Sequence, residues 1–169
     1  VLTNAHVVAG TERVALDTVV GVKPAQVVLF DPDTDIAVLR AEALGLPELQ
    51  WADDELAVGD DAVVMGHPRS GPFEAAPVRI RGKLDIAGPD IYTTGRVERE
   101  AYTIRGNIRQ GNSGGPLLTP GGEVAGMIFG ASLDTSETGY ALTAHQVQQR
   151  VGDVRSLTRP ADTQACVSG

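Results

Sequence analysis

Cysteine is almost missing from this sequence: Cys166 is the one thiol in 169 residues. It reads as a free thiol on a tail, or as half of a disulfide to a cysteine lying upstream of the given sequence. The second reading implies an oxidising compartment. Aromatic residues are scarce at 4%, so a core must be built from Val, Ile, Leu and Ala. Positive charge is in deficit, with 14 Lys and Arg against 22 Asp and Glu and a net charge of -8. That balance argues against a nucleic-acid partner, because phosphate binding rests on clustered Lys and Arg. It equally disfavours docking on an anionic membrane surface. No apolar run approaches the roughly 18 residues of a membrane span.

What remains is ordinary for a globular chain: 42% hydrophobic and 21% charged residues. The length accommodates one or two lobes, each with its own core. Twenty Gly and ten Pro among Val-rich runs point to strands broken by frequent turns. A first group of expected strands covers residues 1–8, 14–16, 25–30 and 36–40, and a Leu/Pro-bearing connector follows at 43–50. A second group covers 61–65, 76–84, 101–104, 116–118, 124–129 and 140–142. Short strands with no helical pattern between them indicate barrels or sandwiches rather than an alternating parallel sheet. One helix is expected at 144–151, capped by Thr143, with Val147 and Val151 one turn apart and Gly152 as its stop. The polar stretch from Ser156 onward is expected to be loosely held. The opening VLTNAHVV reads as the middle of a strand, as if the sequence were part of a longer precursor.

Three segments carry chemistry. GNSGGPL, residues 111–117, places Ser113 among three glycines. A nucleophilic serine needs an exposed hydroxyl and backbone N–H groups aimed at the oxyanion it creates, and Gly at 111, 114 and 115 permits so tight a turn. The same residue types also make plain turns. LTNAHVV places His6 at the end of an expected strand. DPDTDIAVLR places Asp35 between a Pro-bearing turn and an apolar strand. A lone His or Asp in such settings is commonly structural, but here all three occur together in the order His, Asp, Ser, 29 and 78 residues apart. Subtilisin-like and α/β-hydrolase sites use other orders.

With TNAH, TDIAVL and GNSGGP all present, the sequence resembles the trypsin-like, chymotrypsin-fold serine proteases, and its short first separation resembles their bacterial Deg/HtrA-type branch. VLTNAHVVAG, GPDIY, YTIR with QGNSGGPL, FGASLD with ETGYALTA, and the terminal ACVSG are similar to the membrane-anchored periplasmic serine proteases of actinobacteria. The resemblance implies an all-β double six-stranded β-barrel with a short C-terminal helix, the first barrel N-terminally truncated because few residues precede His6. Residues 1–45 would be the remainder of the N-terminal lobe, 46–155 the C-terminal lobe with its helix, and 156–169 a tail, together one protease domain. It also implies that Cys166 pairs with an upstream cysteine, that the domain is extracytoplasmic, and that membrane attachment runs only through a segment preceding this chain.

The activity implied is that of a serine endopeptidase, with a role in envelope or acid-stress maintenance, acting on a protein or peptide substrate. His6, Asp35 and Ser113 would be catalytic, and the N–H groups of Gly111 and Ser113 the oxyanion hole. Asn107, six residues before Ser113, falls at the base of the family's specificity pocket, where a neutral side chain excludes strict Lys/Arg preference. Phe129, Gly130 and Ala131, with Gly139 and Tyr140, would form its wall, favouring small or apolar residues. Asn112 stands where digestive relatives carry Asp, so activation by an inserted N-terminal amine is not expected. No cofactor and no metal is expected. His67 in MGHPRSG lacks companion ligands, His145 reads as solvent-facing, and the acidic residues 53–55, 60 and 61 match no calcium loop. A monomer is favoured. Alternatives are a non-catalytic peptide-binding module, a Deg/HtrA-type chaperone-protease and an esterase using the same residues. The 56 residues after Ser113 leave no room for a PDZ domain of about 90 residues in this chain.

Overall fold

In a computed structural model, residues 1–167 are described; Ser168 and Gly169, the end of the expected tail, lie outside them. Two units divide the chain. One comprises Val1–Glu48, Gly88–Val97 and the chain from Arg150; the other comprises Leu49–Ala87 and Glu98–Gln149.

In the first unit the apolar run 1–8, expected as one strand, divides in two. Leu2–Thr3 forms β1, and Ala5–Val8 coils into a short helix, α1. The coil buries Ala5 and Val8, three apart, and leaves Val7 exposed, a helical rather than an alternating pattern. Strands β2 (Arg13–Thr18), β3 (Gly21–Asp31) and β4 (Ile36–Arg40) follow, giving a four-stranded antiparallel sheet in the order β1-β4-β3-β2. Val8, Ala25, Val27, Ala37 and Leu39 form its core, with Ala161 packed against them.

The segment after Ser156 is better held than its polarity suggests. Ala161 N–H donates to Val27 O and Thr163 O accepts from Gly10 N–H, both at 2.9 Å, and Thr163 is buried. The Tyr92 hydroxyl reaches Ala165 O at 2.8 Å. Side-chain polarity hid this, because the bonds run through the backbone.

The second unit is a closed six-stranded barrel built from β5 (Asp61–Gly66), β6 (Glu74–Pro89), β7 (Arg96–Arg105), β8 (Pro116–Leu118), β9 (Val124–Ala131) and β10 (Thr138–Thr143), in the order β10-β7-β6-β5-β8-β9. The far ends of β6 and β7 belong to the first unit. Both strands run beyond the expected 76–84 and 101–104 because only one face is buried, so charged residues alternate with apolar ones. Val64, Ile80, Ile104, Leu117 and Ile128 fill the barrel with little aromatic help, each side chain contributing about 1.5–3 kcal/mol by burial. Tyr102 is the exception: it is buried, and its hydroxyl accepts the Leu56 N–H at 3.1 Å. Helix α2 (Ala144–Val151) starts as expected, with Thr143 Oγ1 accepting the Gln146 N–H at 3.1 Å. Thr143 in turn donates to Glu100 Oε1 at 2.5 Å, which ties the cap to β7.

Candidate active site

The β3–β4 hairpin ends in the four residues 32–35, because Asp31 pairs with Ile36. The turn is organised by Asp31, whose carboxylate accepts the Asp33 N–H at 3.0 Å and the Thr34 hydroxyl at 2.7 Å and is paired with Arg150. Burial alone would push the Asp31 carboxyl up, but the Thr34 and Arg150 hydrogen bonds and the Arg150 charge hold it below its ordinary range. Asp35 closes the turn with φ of 62°, in the left-handed region, and is 4% exposed.

That placement brings Asp35 to His6. The Asp35 carboxylate accepts the His6 backbone N–H through Oδ1 at 2.9 Å and meets Nδ1 through Oδ2 at 2.7 Å. A carboxylate only accepts, so the contact assigns the proton to Nδ1 and leaves Nε2 as the basic nitrogen. The His6 side chain keeps about a third of its surface exposed, so the ring is held at its inner edge and open at its outer one.

In the other unit, Ser113 sits in a turn held by the buried Asn112. Asn112 Oδ1 accepts the Arg109 N–H at 3.0 Å, its own N–H donates to Arg109 O at 3.0 Å, and its carbonyl accepts the Gly115 N–H at 2.9 Å. Gly114 N–H to Ile128 O and Ile128 N–H to Gly115 O fasten the turn to β9. The N–H groups of Gly111 and Ser113 have no acceptor among the described residues. Two such unspent donors flanking a serine suit an oxyanion. Gly111 has φ of 96°, and a Cβ there would lie 2.7 Å from both His67 O and Arg69 N, so only glycine fits.

Around this turn, Asn107 is exposed and its Oδ1 accepts Arg109 Nε at 2.9 Å. Gly106 N–H donates to Glu137 O, Tyr140 pairs with Gly130, and Gly139 pairs with Ala131. The stretches holding Asn107, Gly130, Ala131, Gly139 and Tyr140 are therefore joined. Phe129 is half-buried, with its ring 6.2 Å from that of Tyr140 and the Arg99 guanidinium 5.7 Å from its centre. One residue went unmarked in the sequence. Ile108 packs on Gly139 so closely that a Cβ on Gly139 would lie 2.6 Å from the Ile108 side chain. Its signal was only an apolar residue five before the candidate nucleophile.

Of the remaining candidates, Cys166 is exposed and its Sγ lies against Gly10. His67 Nδ1 donates to Gly71 O at 3.1 Å, with its ring edge-on to Phe73. His145 is largely exposed, 3.4 Å from Glu100.

A family profile described as trypsin-like peptidase domain matches residues 1–127. The chain belongs to that family. It is 45% identical over 171 residues to serine protease Rv3671c of Mycobacterium tuberculosis, covering 99% of this chain and 42% of the relative. It is 34% identical over 150 residues to the putative serine protease HhoB of a Synechocystis strain, covering 88% of this chain and 36% of the relative. The chain thus spans less than half the length of these curated relatives. The crystal structure of the M. tuberculosis Rv3671c protease in its active form matches with a TM-score of 0.94 at 43% identity, over 99% of this chain and 74% of that one. The all-β, chymotrypsin-like fold is therefore shared with a trypsin-like serine protease.

Proposed function

We propose that this chain is a serine endopeptidase domain in which His6, Asp35 and Ser113 act as a catalytic triad. The observation that carries the reading is the double contact of one carboxylate with His6, which places a proton on Nδ1 and so turns Nε2 of the neutral ring outward to serve as a base. Ser113 Oγ attacks the scissile carbonyl as Nε2 of His6 takes its proton. The same nitrogen then delivers that proton to the leaving amine, and Asp35 stabilises the imidazolium between the two steps. Water then attacks the acyl-enzyme as Nε2 takes its proton, and the acyl–Oγ bond breaks with that proton returned to Ser113 Oγ. The N–H groups of Gly111 and Ser113 receive the oxyanion, each donor being worth roughly 3 kcal/mol in the transition state.

Ile108 lies on Gly139, which pairs with Ala131, and in this reading its side chain would narrow a specificity pocket formed by Asn107, Gly130 and Ala131. A small or aliphatic residue before the scissile bond suits such a space, and a basic one finds no carboxylate on Asn107. An extracytoplasmic site of action is supported by a relative in Chlamydia pneumoniae named as a probable periplasmic serine endoprotease, DegP-like, 35% identical over 75% of this chain. A part in envelope or acid-stress maintenance rests on the resemblance to the membrane-anchored proteases of actinobacteria alone.

The test is fluorophosphonate labelling together with turnover of a peptide library. The parent chain is expected to label at Ser113 and cleave peptides, and Ser113→Ala to do neither while retaining its circular dichroism spectrum and melting temperature. Cleavage undiminished in Ser113→Ala would reject the reading, and labelling accompanied by turnover of ester substrates but not of peptides would redirect it to an esterase.

A further inference from the structure

Asn4 stands at the N-cap of α1, where an Asn side chain ordinarily accepts a hydrogen bond from the first turn. Here it makes no capping bond. Instead its Nδ2 crosses 31 residues of sequence to donate to the Asp35 carbonyl oxygen at 2.9 Å. Only the amide nitrogen can face a carbonyl, so the orientation is fixed by the chemistry of the partner. The side chain is fully buried, and Oδ1 has no hydrogen-bond partner among the described residues. A buried acceptor without a partner is costly. A residue chosen only for packing would not carry that cost, and Asn4 gives up its capping role as well.

What it obtains is a hold on Asp35. A non-glycine residue at φ of 62° is unfavourable unless its surroundings over-determine it, although Asp tolerates the region better than most. The Asp35 carboxylate must be aimed so that one oxygen meets the His6 N–H and the other meets Nδ1. A small rotation of the 35–36 peptide swings that carboxylate away from the ring. Asn4 fastens this peptide to the same short segment, residues 4–6, that carries the imidazole, so base and carboxylate are set on one another by a third contact independent of either.

We propose that Asn4 is a positioning residue for the His6–Asp35 pair, its amide locking Asp35 in the left-handed conformation that aims the carboxylate at the ring. The inference rests on the triad reading above. It gives the buried amide a role in the rate of the chemical step rather than in substrate binding.

Asn4→Leu tests it in the full chain, because leucine nearly matches asparagine in shape while removing both the donor and the orphaned acceptor. With rates normalised to fluorophosphonate-titrated sites, kcat is expected to fall about 10- to 100-fold with KM little changed. The downfield proton resonance of His6 Nδ1–H is expected to shift or broaden, and the melting temperature to hold or rise. A purely structural Asn4 would instead lower the melting temperature and the number of titratable sites, leaving kcat per site and the resonance unmoved; that result overturns the proposal. Asn4→Ala carries the same comparison if the leucine variant fails to fold. Ser113→Ala and His6→Ala, run alongside, separate the two levels. If they abolish turnover and Asn4→Leu does not, only the role of Asn4 falls. If they leave turnover intact, the triad reading itself falls.

Discussion

Asp35 meets His6 twice, with Oδ1 on the backbone N–H at 2.9 Å and Oδ2 on Nδ1 at 2.7 Å. A single contact would allow the ring to pivot about the shared atom. Two contacts from one rigid carboxylate, one to the backbone and one to the side chain, fix both the position of the residue and the plane of its imidazole. Because the carboxylate is nearly buried, little water competes for either bond.

Asp35→Asn keeps the shape of the side chain but substitutes an amide that can donate toward Nδ1 and so favour the wrong tautomer. A fall of about 10⁴-fold in kcat is expected, with the fold retained. Steady-state kinetics at neutral pH checks it, with circular dichroism as the control for folding.

Gly111→Ala forces a side chain against His67 O and Arg69 N in a backbone region that L-residues avoid. The turn must move, carrying the Gly111 N–H with it. Turnover is expected to fall roughly 10²- to 10³-fold, as when an oxyanion donor is lost. Kinetics of the acylation step should register the defect, since the oxyanion forms there.

Ile108→Ala opens the space facing Gly139. The ratio of kcat/KM for peptides with Leu or Phe before the scissile bond to that for Val peptides is expected to rise roughly tenfold or more. A matched peptide series measures it, and an unchanged ratio would remove Ile108 from the specificity pocket.

Asp31 gives a pH dependence. Its carboxyl is held below its ordinary value in the folded chain, so its ionised form adds stability above the unfolded value of about 4. That stability is lost as the pH falls through the lower folded value. Arg150→Met removes the partner and leaves burial to oppose the charge. The variant is expected to melt below the parent at pH 7, and the gap to shrink as the pH drops below about 4. Thermal melts across that range check it.

The candidate triad was legible because the proposed chemistry demands particular residue types in a particular order, and GNSGGPL, TNAH and TDIAVL carry those types on their face. Helix α2 was legible for a similar reason: Thr143, Val147, Val151 and Gly152 form a local pattern. Contacts made by ordinary residues across long separations left no such mark. The Tyr92 hydroxyl finds Ala165 O across 73 residues, and nothing in either residue type announces the pairing. Ile108 and Asn4 carried no mark either, one an unremarkable apolar residue and the other a polar residue inside a run that reads as one strand. The run 1–8 misled because Val, Leu and Ala suit a strand or a buried helical turn equally, and period alone decides only over longer stretches.

The hydrogen bonds from Ala161 to Val27 and from Gly10 to Thr163 bear on the order in which the chain is completed during synthesis. The unit carrying His6 and Asp35 draws on Val1–Glu48, on Gly88–Val97 and on the chain from Arg150, whereas the barrel carrying Ser113 is complete by Gln149. The sheet carrying His6 and Asp35 is therefore fully backed only once the chain from Arg150 has been made. The contacts among Asn4, His6 and Asp35 lie within residues 4–35, so what the late segment adds is the backing of the sheet and not the pairing itself.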